Sequence, residues 1–295
     1  MKGADVAMGP AFASELLERL MAEPQLVAAC RQRPFEQLGA LIDPRTQQDY
    51  HLPAALRAAF RTIPESDRDA YGRAFLVWAI ARFQERDLAA GFPPAFRAEF
   101  DVYLGRIITD IAAGSYTWGT ESDIYAKDLA QAFTVLVPGG AQLIFERAGF
   151  GLREVLRGGA GMAWHLAVRC GGRAPFMEIH THDPMAAARF NPAGWDQTYA
   201  LCAQLAARNP ALRGLMGISW FYDPALAELS PRLAYLREVP VAGGARLLAM
   251  GSDQGSIDLA TATSPSRRAA YAEGRYLPQR YAMIWPRREL MKAYL

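Results

Sequence analysis

Apolar residues recur at helical spacing over the first 130 residues and at strand spacing beyond them. Ser14 to Ala22 carries Leu16, Leu17, Leu20 and Met21 on one helical face. Pro24 opens a second helix that must stop before Pro34, and Pro53 to Arg61 is a short, alanine-rich third. Ser66 suits an N-cap, with Asp67 and Asp69 placed for the positive helix end. From there Tyr71, Phe75, Trp78, Ala79 and Arg82 trace helical rows until Gly91-Phe92-Pro93-Pro94 breaks the pattern. Ala95 to Ala113 buries Phe96, Phe100, Tyr103, Leu104, Ile107, Ile108 and Ile111 on one face, and Gly114 to Gly119 closes the block.

The period then changes. Phe133 to Val137 reads as a strand ended by Pro138-Gly139-Gly140, and Gln142 to Arg147 as another. Met162 to Arg169 and Phe176 to His182 read as two more, joined as a hairpin through Cys170-Gly171-Gly172-Arg173. Asn191-Pro192 starts a helix that ends at Asn209-Pro210. Leu215 to Phe221 is a strand, Pro231 to Arg237 a helix capped by Ser230, and Ala245 to Met250 a strand. From Ser264 the pattern mixes short helix with irregular, aromatic, arginine-rich chain. The expected class is α+β: an α-helical accessory domain over residues 1–130, followed by a mixed sheet flanked by helices over residues 131–295.

With 295 residues, 51% hydrophobic and 21% charged, the chain can build a core and is not disordered. The net charge of +2 gives no pull toward nucleic acid. The sign is nonetheless divided: residues 1–130 are net acidic, and the basic excess gathers at Arg267, Arg268, Arg275, Arg280, Arg287, Arg288 and Lys292. Cys30, Cys170 and Cys202 are too few and scattered for a disulfide framework or zinc site, which fits a reducing compartment. Met1 to Pro10 holds no apolar run of signal-peptide length. No stretch approaches the roughly 20 apolar residues of a membrane span; Ala74 to Ala81 is soon closed by Arg82 and Glu85. A cytoplasmic protein is expected, and the arginine and alanine bias suggests a bacterial one.

The densest polar group is Glu178-Ile-His180-Thr-His182-Asp183. On a strand Glu178, His180 and His182 share one face while Met177 and Ile179 take the other. A hairpin pairing apolar with apolar residues brings His165 to the same face. Such a group can serve general acid–base chemistry, bind a metal through His165, His180, His182 and Glu178 or Asp183, or be a polar sheet face. His-x-His spacing does not by itself favour a metal.

A second group, Ser219-Trp220-Phe221-Tyr222-Asp223-Pro224, ends a strand with aromatic rings carrying polar tips, suited either to a site wall or to a core with an N-cap. Nearby, Ser230 and Arg232 begin a helix whose first turn can hold an anion, and Tyr235 follows. The sequence lacks the P-loop, nucleophile-elbow and His-Glu-x-x-His patterns, and Gly158-Gly159-Ala160-Gly161 precedes a strand and so misses the dinucleotide fingerprint.

From Gln142 to Met250 the element order, three strands, helix, strand, helix, strand, resembles the central part of the GNAT family of N-acetyltransferases, over roughly the last 160 residues. In that family an Arg/Gln-x-x-Gly-x-Gly/Ala loop holds the diphosphate of an acyl-CoA. The matching place reads Arg189-Phe-Asn191-Pro192-Ala193-Gly194; Arg189 and Gly194 fit, and Pro192 at the first glycine position removes one N–H donor. Some GNAT-like enzymes resemble N-acyl amino acid or autoinducer synthases, which take acyl groups from acyl carrier protein; the basic tail would suit that acidic carrier.

The resemblance implies an acyltransferase moving an acyl group from acyl-CoA or acyl carrier protein to an amine of a small metabolite. One of Glu178, His180 and His182 would deprotonate the amine, and Tyr222 or Tyr235 would protonate the leaving thiolate. The same reading makes Glu178, His180 and His182 border one cavity with Trp220, Tyr222 and Asp223, with Arg232 at its rim. A metal enzyme and a non-catalytic biosynthetic partner protein are the alternatives.

Overall fold

The structure, a computed structural model, describes residues 10–47 and 49–295; the Met1–Gly9 stretch read for a signal peptide lies outside the described residues. The chain forms two compact units. The first runs to Gly139 and takes back His182–Met185; the second comprises Gly140–Thr181 and Ala186–Leu295.

The first unit is helical: α1 (Pro10–Leu20), α2 (Pro24–Gln32), α3 (Phe35–Gly39), α4 (Ala54–Arg61), α5 (Glu65–Glu85), α6 (Pro94–Ala112) and α7 (Asp123–Ala132). Proline sets most of the starts, as the first residue of α2 and α6 and as the cap residue of α3, α4, α5 and α6. Its φ is already helical and its missing N–H is one the first turn cannot use. Ser66 therefore lies inside α5, where its hydroxyl donates to Asp67 Oδ1 at 3.0 Å, and Pro64 caps the helix instead. The core is aromatic, with Phe35 packed 5.1 Å from Tyr71 and Phe75 stacked 5.5 Å from Trp78. Helix α7, hidden in sequence behind the Gly- and Ser-rich 114–122 stretch, is capped by Ser122, which accepts from Tyr125 N at 3.1 Å. The expected strand Phe133–Val137 shrinks to β1 (Val137–Gly139), because Thr134 takes a positive φ of 56° and turns the chain first.

The second unit holds β2 (Gln142–Ala148), β3 (Phe176–Thr181), β4 (Gly214–Ser219), β5 (Arg246–Gly251) and β6 (Arg280–Pro286) in the order β2-β3-β4-β6-β5. Strands β3 and β4 are parallel and the other neighbours antiparallel. Its helices are α8 (Leu152–Arg157), α9 (Gly159–Trp164), α11 (Pro192–Arg208), α12 (Leu226–Leu229), α13 (Tyr235–Ala242), α14 (Gln254–Ala262), α15 (Pro265–Ala272) and α16 (Arg287–Tyr294); α10 (Asp183–Arg189) follows the excursion into the first unit. Together these make the expected α+β architecture: a helical block, then a mixed sheet flanked by helices.

Three sequence expectations give way. Met162–Arg169 is not a strand: α9 runs on as a π-helical turn from His165 to Cys170, ended by Gly171 at φ 72°. A short apolar run of alanine, leucine and methionine, with Val168 its one β-branched member, does not distinguish strand from helix by period. The hairpin partner of β3 is β2, pairing Leu143 with His180 and Phe145 with Glu178. Finally β6, read as irregular tail, is a central strand whose last five residues are all buried. With both faces covered it shows no alternation, and its pairing energy comes from β4 and β5, which are distant in sequence.

Candidate functional site

Register fixes the faces of the sheet. Met177 pairs with Leu215 and Glu178 with Met216, and the parallel pairing of β3 with β4 stops there, so the strands part toward their C-terminal ends. Glu178 and His180 share the face that carries Met216, with His180 Nε2 3.7 Å from Glu178 Oε2. Burial, reinforced by the charge of Glu154, pushes the Glu178 carboxyl from its ordinary 4.5 up to about 7. A carboxyl poised near neutrality beside a strand gap is suited to take a proton at physiological pH.

Ile179 and Gly217 lie on the opposite face. A Cβ built on Gly217 would meet the Tyr222 hydroxyl and the Ile179 side chain, so Tyr222 lies under the Ile179 face, away from Glu178 and His180. The expected single cavity holding Glu178, His180 and Tyr222 is therefore not formed. Tyr222 follows β4 in a 3₁₀ turn, Trp220–Tyr222, that swings its ring beneath the sheet, and burial holds its phenol neutral far above the ordinary range.

His182 leaves the group as well. It lies past the end of β3, belongs to the first unit and is fully buried there. Its Nε2–H donates to Asp128 Oδ1 at 3.0 Å, Arg106 Nη2 lies 3.3 Å from the same nitrogen, and Tyr103 stacks on the ring. Arg106 also pairs with Asp128, and Tyr116 donates to Asp128 Oδ2 at 2.9 Å. Burial alone would raise the Asp128 carboxyl; the bonds from His182 and Arg106 outweigh it and hold the group below the usual range. This network, which sequence reading missed, fixes the His182–Met185 turn against α6 and α7. Its one signal was the charged Arg106 and Asp128 among the apolar positions of two helices.

His165 sits in the π turn, buried, with the Ile284 backbone and Arg246 as neighbours. The three histidines are thus not assembled, and among the described residues no group of three or more His, Cys, Asp and Glu could hold a metal. Other expected binding residues are structural. Trp220 packs with Leu226, Ala260, Ala270 and Tyr276, under the Arg267 guanidinium at 4.8 Å. Asp223 accepts from Ala225 N at 3.0 Å and Gln279 N at 2.9 Å, tying the turn to the chain that enters β6. Ser230 caps no helix; it accepts from Arg267 Nη1 at 2.8 Å. Arg232 stands exposed in the 3₁₀ turn Pro231–Leu233.

The remaining candidates lie around α11. Asn191 caps it as expected, accepting from Gly194 N at 3.0 Å. Gly194 is required for packing, since a Cβ there would run into the Arg189 carbonyl. Beside the first turns of α11 a groove of about 320 Å³ opens toward α13, lined by Pro192, Trp195, Asp196, Tyr199, Tyr235 and Val239. Three of its polar groups, Trp195 Nε1, Tyr199 Oη and Tyr235 Oη, are buried without a hydrogen-bond partner. Unsatisfied buried donors cost about 1–3 kcal/mol each and are rare, so three among the residues that line one groove make it the candidate site on this side of the sheet. Burial pushes the Tyr235 phenol up to about 12, so it stays a proton donor.

No family model matches the chain, and no curated protein does. Among solved structures, it is similar to an acyltransferase captured in complex with decanoyl-CoA, at a TM-score of 0.51 and 15% identity, over 93% of this chain and 87% of that one. The fold is that of an acyltransferase.

Proposed function

We propose that the protein is a GNAT-like acyltransferase that moves an acyl group from an acyl-CoA to an amine of a small metabolite. The reading rests chiefly on one arrangement: a parallel β3–β4 pair that parts after two registers, with the α11–α13 groove and its three unpartnered donors on the Ile179 side and Glu178 on the other. The strand order β2-β3-β4-β6-β5, with its single parallel pair, supports the GNAT-like part of the reading, and a similar structure described as an acyltransferase in complex with decanoyl-CoA supports acyl-CoA as the donor.

The thioester arm lies along the α11–α13 groove and its carbonyl enters the strand gap. The amine approaches from the Glu178 side, and Glu178 removes its proton, directly or through water, with His180 positioned 3.7 Å away. The amine nitrogen bonds to the carbonyl carbon, backbone N–H groups of β4 at the gap hold the developing oxyanion, and the C–S bond breaks. Tyr235, rather than the covered Tyr222, returns a proton to the thiolate. The first turn of α11 gives a diphosphate little, because Pro192 has no N–H and the Gly194 N–H is taken by Asn191. Of the basic tail, Arg267 is buried, Arg275 pairs with Glu273, Arg280 with Asp253 and Arg287 bonds the Ala206 carbonyl, while Arg268, Arg288 and Lys292 are exposed, so an acidic carrier protein stays the alternative donor.

Incubating the protein with decanoyl-CoA and a panel of amino acids and amines, and following thiol release with mass detection of the amide, tests the reading. Amide formation is expected; neither binding of any acyl-CoA nor transfer to any amine would remove it.

A further inference from the structure

Between β2 and β3 the chain leaves the sheet as a helical excursion, residues 149–175. Its base is tied twice, Phe150 N donating to the Arg173 carbonyl at 2.9 Å and Arg173 Nη1 donating to the Phe150 carbonyl at 2.8 Å. Met162, His165, Leu166 and Cys170 anchor its inner side. The outer side is apolar too: Leu152, Leu156, Trp164 and Val168 are 66%, 78%, 55% and 61% exposed. From Gly159 to Cys170 the sole Asp, Glu, Lys or Arg is Arg169. A helix apolar on all sides belongs in an interior, yet this one stands at the surface, and four large exposed apolar side chains within 17 residues of chain, in i, i+4 pairs on two successive helices, point to a contact site.

The rim says what the contact is. Arg153 and Arg157 are exposed on α8 beside the leucines, and Arg246 and Arg213 approach Gly161 and Gly171 of the excursion, each guanidinium 3.4 Å from where a Cβ would lie. Arg169 is paired with Glu289 and Glu154 accepts from Gly151 N, so the basic charge beside the excursion is that of Arg153, Arg157, Arg213 and Arg246. The same positive field, after burial, holds the His165 imidazole below its usual range. Exposed leucine, tryptophan and valine with exposed arginines next to them in the chain is the chemistry of a segment lying in a lipid headgroup layer, where tryptophan and arginine keep their polar ends in water.

We propose that this excursion is an interfacial membrane anchor: Leu152, Leu156, Trp164 and Val168 enter the headgroup–acyl boundary of an anionic phospholipid bilayer while Arg153 and Arg157 neutralise its headgroups. The anchor would hold the second unit at a lipid surface without a span, consistent with no described helix being long and apolar enough to cross a membrane.

Sedimentation of the full chain with vesicles tests this independently of acyl transfer. The protein is expected to pellet with equimolar phosphatidylglycerol and phosphatidylcholine, far less with phosphatidylcholine alone, and to be released by salt. The double variant Leu156→Gln/Trp164→Gln should keep its circular dichroism and lose vesicle affinity by about tenfold or more. Arg153→Gln/Arg157→Gln should lose the salt-sensitive part. Leu259→Gln, 65% exposed on α14, should bind as wild type. Failure of the wild type to pellet with the anionic vesicles, or pelleting of Leu156→Gln/Trp164→Gln at the wild-type level, would overturn the proposal. So would a wild-type dimer that the same double variant converts to a monomer, since the face would then belong to a second copy.

Discussion

Replacing Glu178 with glutamine isolates the group on which the proposed chemistry turns. Folding moves its carboxyl from 4.5 to about 7. Each pH unit of difference is about 1.4 kcal/mol, which gives an upper figure of ~3 kcal/mol. The side chain retains 26% exposure, so solvent screening brings this to roughly 2 kcal/mol. The direction follows from which state binds the proton. Below pH 4.5 the carboxyl is protonated both folded and unfolded, and stability is full. Between 4.5 and about 7 the unfolded chain ionises while the native one does not, so stability falls as pH rises. Above 7 the native protein carries the whole penalty. Glutamine keeps the shape and cannot ionise, so Glu178→Gln should match wild type at pH 4.5 and exceed it at pH 8, by about 5 °C in Tm for a unit of this size.

Tryptophan fluorescence during thermal unfolding reads this, because four of the six tryptophans, Trp164, Trp195, Trp220 and Trp285, belong to the second unit and Trp78 and Trp118 to the first. The same group should appear in kcat/KM as a rise with pH governed by an apparent value near 7, absent in the variant along with most of the rate. A Glu178→Gln protein less stable than wild type at pH 8 would refute the reasoning. It would mean that the native carboxylate is ionised and held by His180, with the 3.7 Å pair stabilising the fold and no neutral acid waiting in the gap.

Tyr235→Phe removes a hydroxyl that has no partner, so thermal stability should hold or rise slightly while kcat falls about 10²-fold with KM little changed, measured by thiol release. Decanoyl-pantetheine should support a kcat/KM within about tenfold of decanoyl-CoA, because Pro192 and the Asn191 cap leave the diphosphate few donors; a far larger gap in steady-state assays would show that the α11 turn does hold it. Asp128→Ala strands Arg106 and His182 in the first unit and should cost about 3–5 kcal/mol in urea unfolding. The carboxyl is held below its ordinary 3.8, so wild type should lose this contribution only as pH falls below that value, and the variant should show a flatter acid limb.

How far the sequence could be read depended on where each element's energy comes from. The helices of the first unit were legible because proline punctuation and an i, i+3, i+4 stripe are local features, as at Pro24 and along Phe96 to Ile111. The Asn191 cap of α11 was legible for the same reason. Strand β6 was not, since its pairing lies with β4 and β5 and its burial on both faces erases the period. The histidine group fails at a boundary: alternation holds for Glu178 and His180 while β3 lasts, but the strand ends at Thr181, and one residue later Asp128 and Arg106 decide where His182 goes. Period-2 reasoning has no term for a strand's last residue, and the charges that capture His182 sit on helices over fifty residues upstream. The excursion shows the converse. Met162–Arg169 reads as a strand because it is apolar, yet the segment is helical, and with Leu166 buried on its inner side Val168 and Trp164 stand exposed, a face that folding alone does not use.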